Sequence, residues 1–164
     1  MQRLEFKNFK LLGNITREIQ TQGIAINELG SDVSQALVIA KHIEHAFVPG
    51  NILLDRCILD GLVYTKVLNG KHMVSDVIMH YAYHIFDELS MKYDVIFYVE
   101  PTLPLQVDGI RSLDADFFAN VVSTFEEYLR GYFTFTQAFV VRIAGSREER
   151  VQKVLATLKE RKLL

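Results

Sequence analysis

Apolar residues follow two rhythms along the chain. Four short runs, Phe9 to Leu12, Asn51 to Leu54, Val95 to Val99 and Phe139 to Ile143, are nearly continuous. Between them apolar positions recur at intervals of three and four. The first rhythm predicts strands and the second predicts helices. Val95-Ile96-Phe97-Tyr98-Val99 is the strongest strand signal, since its β-branched and aromatic side chains suit a strand covered on both faces.

Boundary residues sharpen these elements. Gly13 closes the first run, and a polar helix starts near Asn14 with Arg17 and Glu18 in its first turns. Gly23 interrupts it, and IAINELGSD reads as a loop. Ser31 or Asp32 caps a helix carrying Val33, Ala36, Leu37, Ile39, Ala40 and Ile43, and Pro49-Gly50 stops the chain after it. Helical spacing runs from Ile58 to Leu68, and Asn69-Gly70 predicts a turn. Ser75 caps a further helix through about Met91, with Val77, Ile78, Tyr81, Ile85 and Leu89 along one side. A loop through Pro104 and Asp108-Gly109 leads to a helix from about Asp114 to Tyr132, and the last helix spans Arg147 to about Arg161.

Strands separated by helices, at spacings of roughly 30 to 45 residues, predict an α/β fold. Its expected form is a mainly parallel sheet flanked by helices, in a single domain over residues 1–164 without repeats or linkers. Ligands of such sheets sit beyond the carboxyl ends of the strands. The residues there are Gly13-Asn14 and Arg17, then Asp55-Arg56, then Glu100, then Gly145-Ser146-Arg147.

Composition narrows the function classes. Eighteen Lys and Arg against 20 Asp and Glu give a formal charge of −2, which offers no broad nucleic-acid surface. A 49% hydrophobic content with 11 Phe and 7 Tyr fills a core and excludes a disordered chain. Cys57 is the single cysteine, so an intrachain disulfide and a multi-cysteine metal site are excluded. The start MQRLEFKNFK has no apolar signal stretch, and no run approaches the roughly 18 apolar residues of a membrane span. These features predict a soluble, cytoplasmic protein with neither membrane nor nucleic acid as partner.

Asp55-Arg56 is the sharpest local signal for chemistry. A carboxylate directly after a strand can hold Mg²⁺ through water. The adjacent guanidinium can clamp phosphate oxygens. The same pair also fits a strand-end ion pair or a helix cap. His42 and His45 lie three apart on one helix, and His80 and His84 four apart on another. Without an H-E-x-x-H arrangement they read as surface or packing histidines. Cys57 reads as a small buried side chain. Tyr128, Tyr132, Phe133 and Phe135 read as packing residues rather than a base-stacking platform. The last helix is amphipathic, with Val151, Val154, Leu155 and Leu158 on its apolar side.

Three stretches, taken together, resemble one family: NITREIQTQGIAINELGSDVSQ, DRCILDGLVY and YDVIFYVEP with the later DGIRSLDADFF. They are similar to P-loop kinase-like, AAA-type ATPases related to nicotinamide-riboside kinase domains and phage nucleotide-kinase-like proteins. The resemblance covers about residues 9 to 152. It implies a P-loop nucleoside-triphosphate-hydrolase-like fold and ATP-dependent phosphoryl transfer to a small nucleoside or nucleotide, with ATP and Mg²⁺ as cofactors. It implies catalytic roles for Asp55, Arg56 and Arg111, with Asp55 beside the metal. It places Arg17, Asp60 and Asp108 on the substrate side. It puts Gly145, Ser146, Arg147 and Arg150 beside the adenine ring, and a lid over about 102–116. Positioned cations around a crowded anion are what this reaction needs.

Two departures from the family pattern shape the expectation. No G-x-x-x-x-G-K-[ST] occurs in the 164 residues, and Met1 falls inside what would be the family's first helix. Asn14 stands where the family commonly has an acidic residue, and asparagine cannot act as a carboxylate base. The family's first strand is central, between the strands that here are Asn51–Leu54 and Asp94–Val99. Without it two strand edges lose backbone partners, at about 1–3 kcal/mol for each unpaired buried group. The slot is expected to be filled by Leu4 to Phe9, by a second copy or by a partner protein, or the sheet is expected to close up. The functional expectation is a kinase-like phosphotransferase that is incomplete or inactive as this chain alone. The alternatives are a non-catalytic nucleotide- or protein-binding pseudoenzyme and a half-enzyme completed by a partner.

Overall fold

The computed structural model describes residues 6–101, 114–131 and 139–164. Within them the order is β1 (Phe9–Leu12), α1 (Ile15–Thr21), a 3₁₀ turn (Asn27–Leu29), α2 (Asp32–Ala46), β2 (Asn51–Leu54), α3 (Ile58–Gly70), α4 (Asp76–Ser90), β3 (Val95–Val99), α5 (Ala115–Gly131), β4 (Phe139–Ile143) and α6 (Arg147–Glu160). This is an α/β architecture. No helix among the described residues is long and apolar enough to cross a membrane.

Local chemistry sets the helix starts. The Ser31 hydroxyl accepts from the Ser34 N–H at the head of α2, and Ser34 returns the bond to the Ser31 N–H. Ser146 and Glu149 form the same reciprocal box at α6. Asp114 accepts from the Phe117 N–H at 2.9 Å before α5. The turn expected at Asn69-Gly70 is displaced. Both residues belong to the last turn of α3, and the chain reverses at Lys71 to Val74, where His72 takes a left-handed φ of 58°. The Asn69 side chain stabilises that reversal by donating to the Val74 carbonyl.

The main core is helical. α3 is buried nearly all round, through Ile58, Leu59, Leu62, Val63, Val67 and Leu68. Against it pack Ile39 of α2, Ala82, Phe86 and Leu89 of α4, and Phe117 and Val121 of α5. Each strand contributes at most partly buried side chains to this cluster, such as Ile96 and Val140.

The strands pair in parallel but form two sheets. β1 pairs with β2, Phe9 opposite Asn51 through Leu12 opposite Leu54. β3 pairs with β4, Val95 opposite Phe139 through Val99 opposite Ile143. No ladder joins β2 to β3. The expected continuous sheet is therefore divided at its middle. The proposed filling by Leu4 to Phe9 is also corrected where it falls on described residues. Phe6 to Asn8 form a turn, and Phe9 opens β1 on the far side of β2; Leu4 and Glu5 lie outside the described residues.

Candidate functional site

The division of the sheet opens a cavity of about 740 Å³. Every residue of β2 and every residue of β3 lines it. Successive strand side chains point to opposite faces, so a cavity touching all of them faces the strand edges. At its carboxyl end stand Asp55, Arg56, Asp60, Glu100 and Arg150.

Arg56 is held by its backbone and by three neighbours. Its φ is 77°, the left-handed region that disfavours side chains with a Cβ. Asn14 and Gly145 occupy the corresponding position, two residues beyond β1 and β4, with φ of 66° and 90°. Asparagine and glycine suit that conformation, whereas arginine is strained in it by about 1–2 kcal/mol. The Arg56 Nη1 donates to Asp60 Oδ1 at 3.3 Å. Its guanidinium lies 6.0 Å from the centroid of the Tyr64 ring. Burial opposes its charge, but Asp60, Tyr64 and Asp55 outweigh that and hold its pKa above the usual value. Its side chain remains 39% exposed, so it can reach a ligand.

Asp60 has a structural task as well. Its second oxygen accepts from the Cys57 N–H at 3.2 Å, closing the start of α3. Burial pushes its carboxyl above the usual carboxylate range, against the opposing pull of Arg56 and that N–H. Burial likewise pushes the Cys57 thiol up to about 12, so it stays protonated and is not a nucleophile. Close by, the Ile58 N–H donates to the Tyr93 hydroxyl at 3.2 Å, tying the start of α3 to the entrance of β3.

Asp55 is exposed beside Arg56. A Cβ added at Gly13 would come within 2.7 Å of the Asp55 Cβ, so the glycine lets the two strand exits approach. Across the cavity, the Arg150 Nε is buried without a hydrogen-bond partner. That orphaned donor fits an anionic ligand group.

A smaller recess of about 30 Å³ opens behind Arg56, Asp60 and Tyr64. His42 forms part of its wall, 2% exposed, and its Nδ1 has no partner. Burial, then the charges of His45 and Arg56, depress its pKa to about 3, so the imidazole is neutral. His45 is half-buried along the main cavity, while His80 and His84 are exposed. No group of three or more His, Cys, Asp or Glu among the described residues is arranged to hold a metal ion.

The residues expected from sequence thus divide. Asp55, Arg56, Asp60 and Arg150 share one cavity. Arg17 is exposed on α1 and does not line it; its neighbour Thr16 does. Gly145, Ser146 and Arg147 stay outside too. The start of α6 is closed by its own residues: the Ser146 N–H donates to Glu149 Oε2 at 2.7 Å, and the Glu149 N–H donates to the Ser146 hydroxyl. A carboxylate already sits where an anion would have to bind. Asp108, Arg111 and most of the expected lid lie outside the described residues. Tyr64, Tyr93 and His42 were not singled out for the site by sequence. Tyr64 and His42 are each separated from Arg56 by helical turns or by another helix, so only the packing of α2 on α3 reveals them.

Scans against protein-family models, curated proteins and solved structures found no match.

Proposed function

We propose that this cavity binds a magnesium-bound phosphorylated nucleoside, and that the chain is the ligand-holding part of a nucleotide-kinase-like phosphotransferase of the P-loop type. The observation that carries the reading is Arg56: a strained arginine at a strand exit, beside an exposed aspartate, aimed by Asp60 and Tyr64. Backbone strain retained at such a position calls for a side chain with a task.

The charges favour a metal-bound ligand over a bare anion. A free phosphate would meet Asp55, Asp60 and Glu100 as well as Arg56 and Arg150. A magnesium–phosphate pair gives each sign a counterpart. Asp55 would hold the metal through water, and the two arginines would bind phosphate oxygens. Bound Mg²⁺ would supply charge neutralisation between the phosphates. Asp60 positions Arg56 instead of taking a proton, because both its oxygens are engaged.

A second reading, binding without transfer, draws on the capped start of α6, where Glu149 occupies the helix amides. Calorimetry with ATP, with and without Mg²⁺, tests the first step common to both. We expect Mg²⁺-dependent binding, weakened about tenfold or more in Arg56→Ala through loss of a charge-assisted bond. No binding by the unmodified chain would overturn the proposal. An assay for ADP release then separates transfer from binding alone.

A further inference from the structure

α2 turns two polar side chains toward α3, Gln35 and His42, and both are buried. They stand two helical turns apart. Gln35 has its partner: its Oε1 accepts from the Thr65 hydroxyl at 3.1 Å. His42 is left with an unpaired Nδ1. A buried polar atom without a partner is costly, and an aliphatic side chain of similar size would avoid the cost. The neighbouring helix nonetheless makes room for the ring. A Cβ added at Gly61 would stand 3.4 Å from the His42 Cδ2, so the imidazole lies against the first turn of α3, next to Asp60.

The recess of about 30 Å³ is walled by His42 together with Arg56, Asp60 and Tyr64. That is room for a water molecule and for little more. Ile15, Ile26 and Val38 line its apolar part. Electrostatics decides how a water would turn there. Both Asp60 oxygens already accept hydrogen bonds, one from Arg56 and one from the Cys57 N–H. Arg56 has five N–H donors and gives one of them, on Nη1, to Asp60. His42 is neutral, and it is near enough to Arg56 for that charge to oppose its protonation. A neutral imidazole meets a nearby cation best with its bare lone pair. With the lone pair on Nδ1, the ring proton sits on Nε2.

We propose that the recess holds one ordered water, which accepts from the Arg56 guanidinium and donates to His42 Nδ1, and that His42 is thereby a positioning residue for Arg56. The ion pair and the ring contact that hold this arginine, to Asp60 and Tyr64, both come from α3. The water adds a hold from α2, so the packing of α2 on α3 is felt at the guanidinium. A buried bridging water serves nearly as well as a direct hydrogen bond. The role in ligand binding rests on the phosphate reading of Arg56. The water link itself rests on the recess and on the unpaired Nδ1.

The link is tested on the unmodified 164-residue chain, labelled with ¹⁵N, by NMR at neutral pH. Two-bond ¹H–¹⁵N correlations should show His42 neutral with its proton on Nε2. A nuclear Overhauser cross-peak should join a long-lived water to its Hε1. A proton on Nδ1, or the lack of that cross-peak, overturns the link. Calorimetry with ATP and Mg²⁺ then reads the role. His42→Leu fills the space without a nitrogen, so affinity should fall about fivefold while the denaturant midpoint holds or rises. A histidine that only packs would give the opposite pattern. His42→Asn, whose amide stands near the place of Nδ1, should recover most of the affinity. Equal binding by His42→Leu and the unmodified chain overturns the positioning role and leaves the phosphate reading intact. Binding by His42→Asn no better than by His42→Leu overturns the role too. If the unmodified chain binds no magnesium–ATP, the phosphate reading falls and the role with it, while the spectra still decide the water link.

Discussion

α3 and β3 carry similarly apolar sequences, yet the folded chain treats them differently. Six apolar residues of α3 are 8% exposed or less, whereas β3 has no buried residue and Val99 is 47% exposed. β4, on the outer side of its pair, contains the buried Val141 and Ile143. In a closed parallel sheet the inner strand is the better covered of the two. The inversion follows from where hydrogen bonds are made. A helix satisfies its backbone internally and needs only packing on its sides. A strand needs a partner at each edge before its side chains are enclosed.

The helical half should therefore respond to truncation far more strongly than the open half. Leu62→Ala removes a fully buried side chain from the centre of α3 and should cost about 2–5 kcal/mol in denaturant unfolding. Leu53→Ala, on half-exposed β2, should cost about 1 kcal/mol or less. Equal losses would mean that the sheet half is as tightly enclosed as the helices, contrary to its exposure.

Titration probes the boundary between the halves. His42 is kept neutral in the fold, with a pKa of about 3, and takes up a proton on unfolding at an ordinary value near 6.5. Because the unfolded state binds more protons, stability is full above pH 6.5 and falls as pH drops from there toward 3. The slope is roughly 1.4 kcal/mol per pH unit, or about 2 kcal/mol between pH 6.5 and 5. In His42→Gln that part of the pH dependence should vanish. An unchanged profile would show that another group carries it.

The sequence disclosed the elements better than their assembly. All four strands stand where apolar runs predicted them, because a run such as VIFYV has little other use in a polar solvent. Ser31 and Ser75 start their helices as expected, since capping is decided within four residues, whereas Ser146, expected beside an adenine ring, caps α6. The division of the sheet was not anticipated, since the slot was expected to be filled or closed up, and no local pattern reports how far apart two strands settle. Asp55 and Arg56 were legible as neighbours in sequence. Arg150 lines the cavity, whereas Arg147, at the exposed first position of α6, does not.

Arg56 is where the smallest stability effect should accompany a large functional one. Arg56→Gly relieves a left-handed backbone worth about 1–2 kcal/mol. It also removes the ion pair to Asp60, a half-exposed contact worth about 1 kcal/mol or less. Asp60 keeps its bond from the Cys57 N–H, so the start of α3 is retained. The two changes oppose each other, and denaturant midpoints should move little, in either direction. Affinity for magnesium–ATP should nonetheless fall as in Arg56→Ala. A variant that lost neither stability nor affinity would leave the strained arginine without a role, and the phosphate reading without its principal residue.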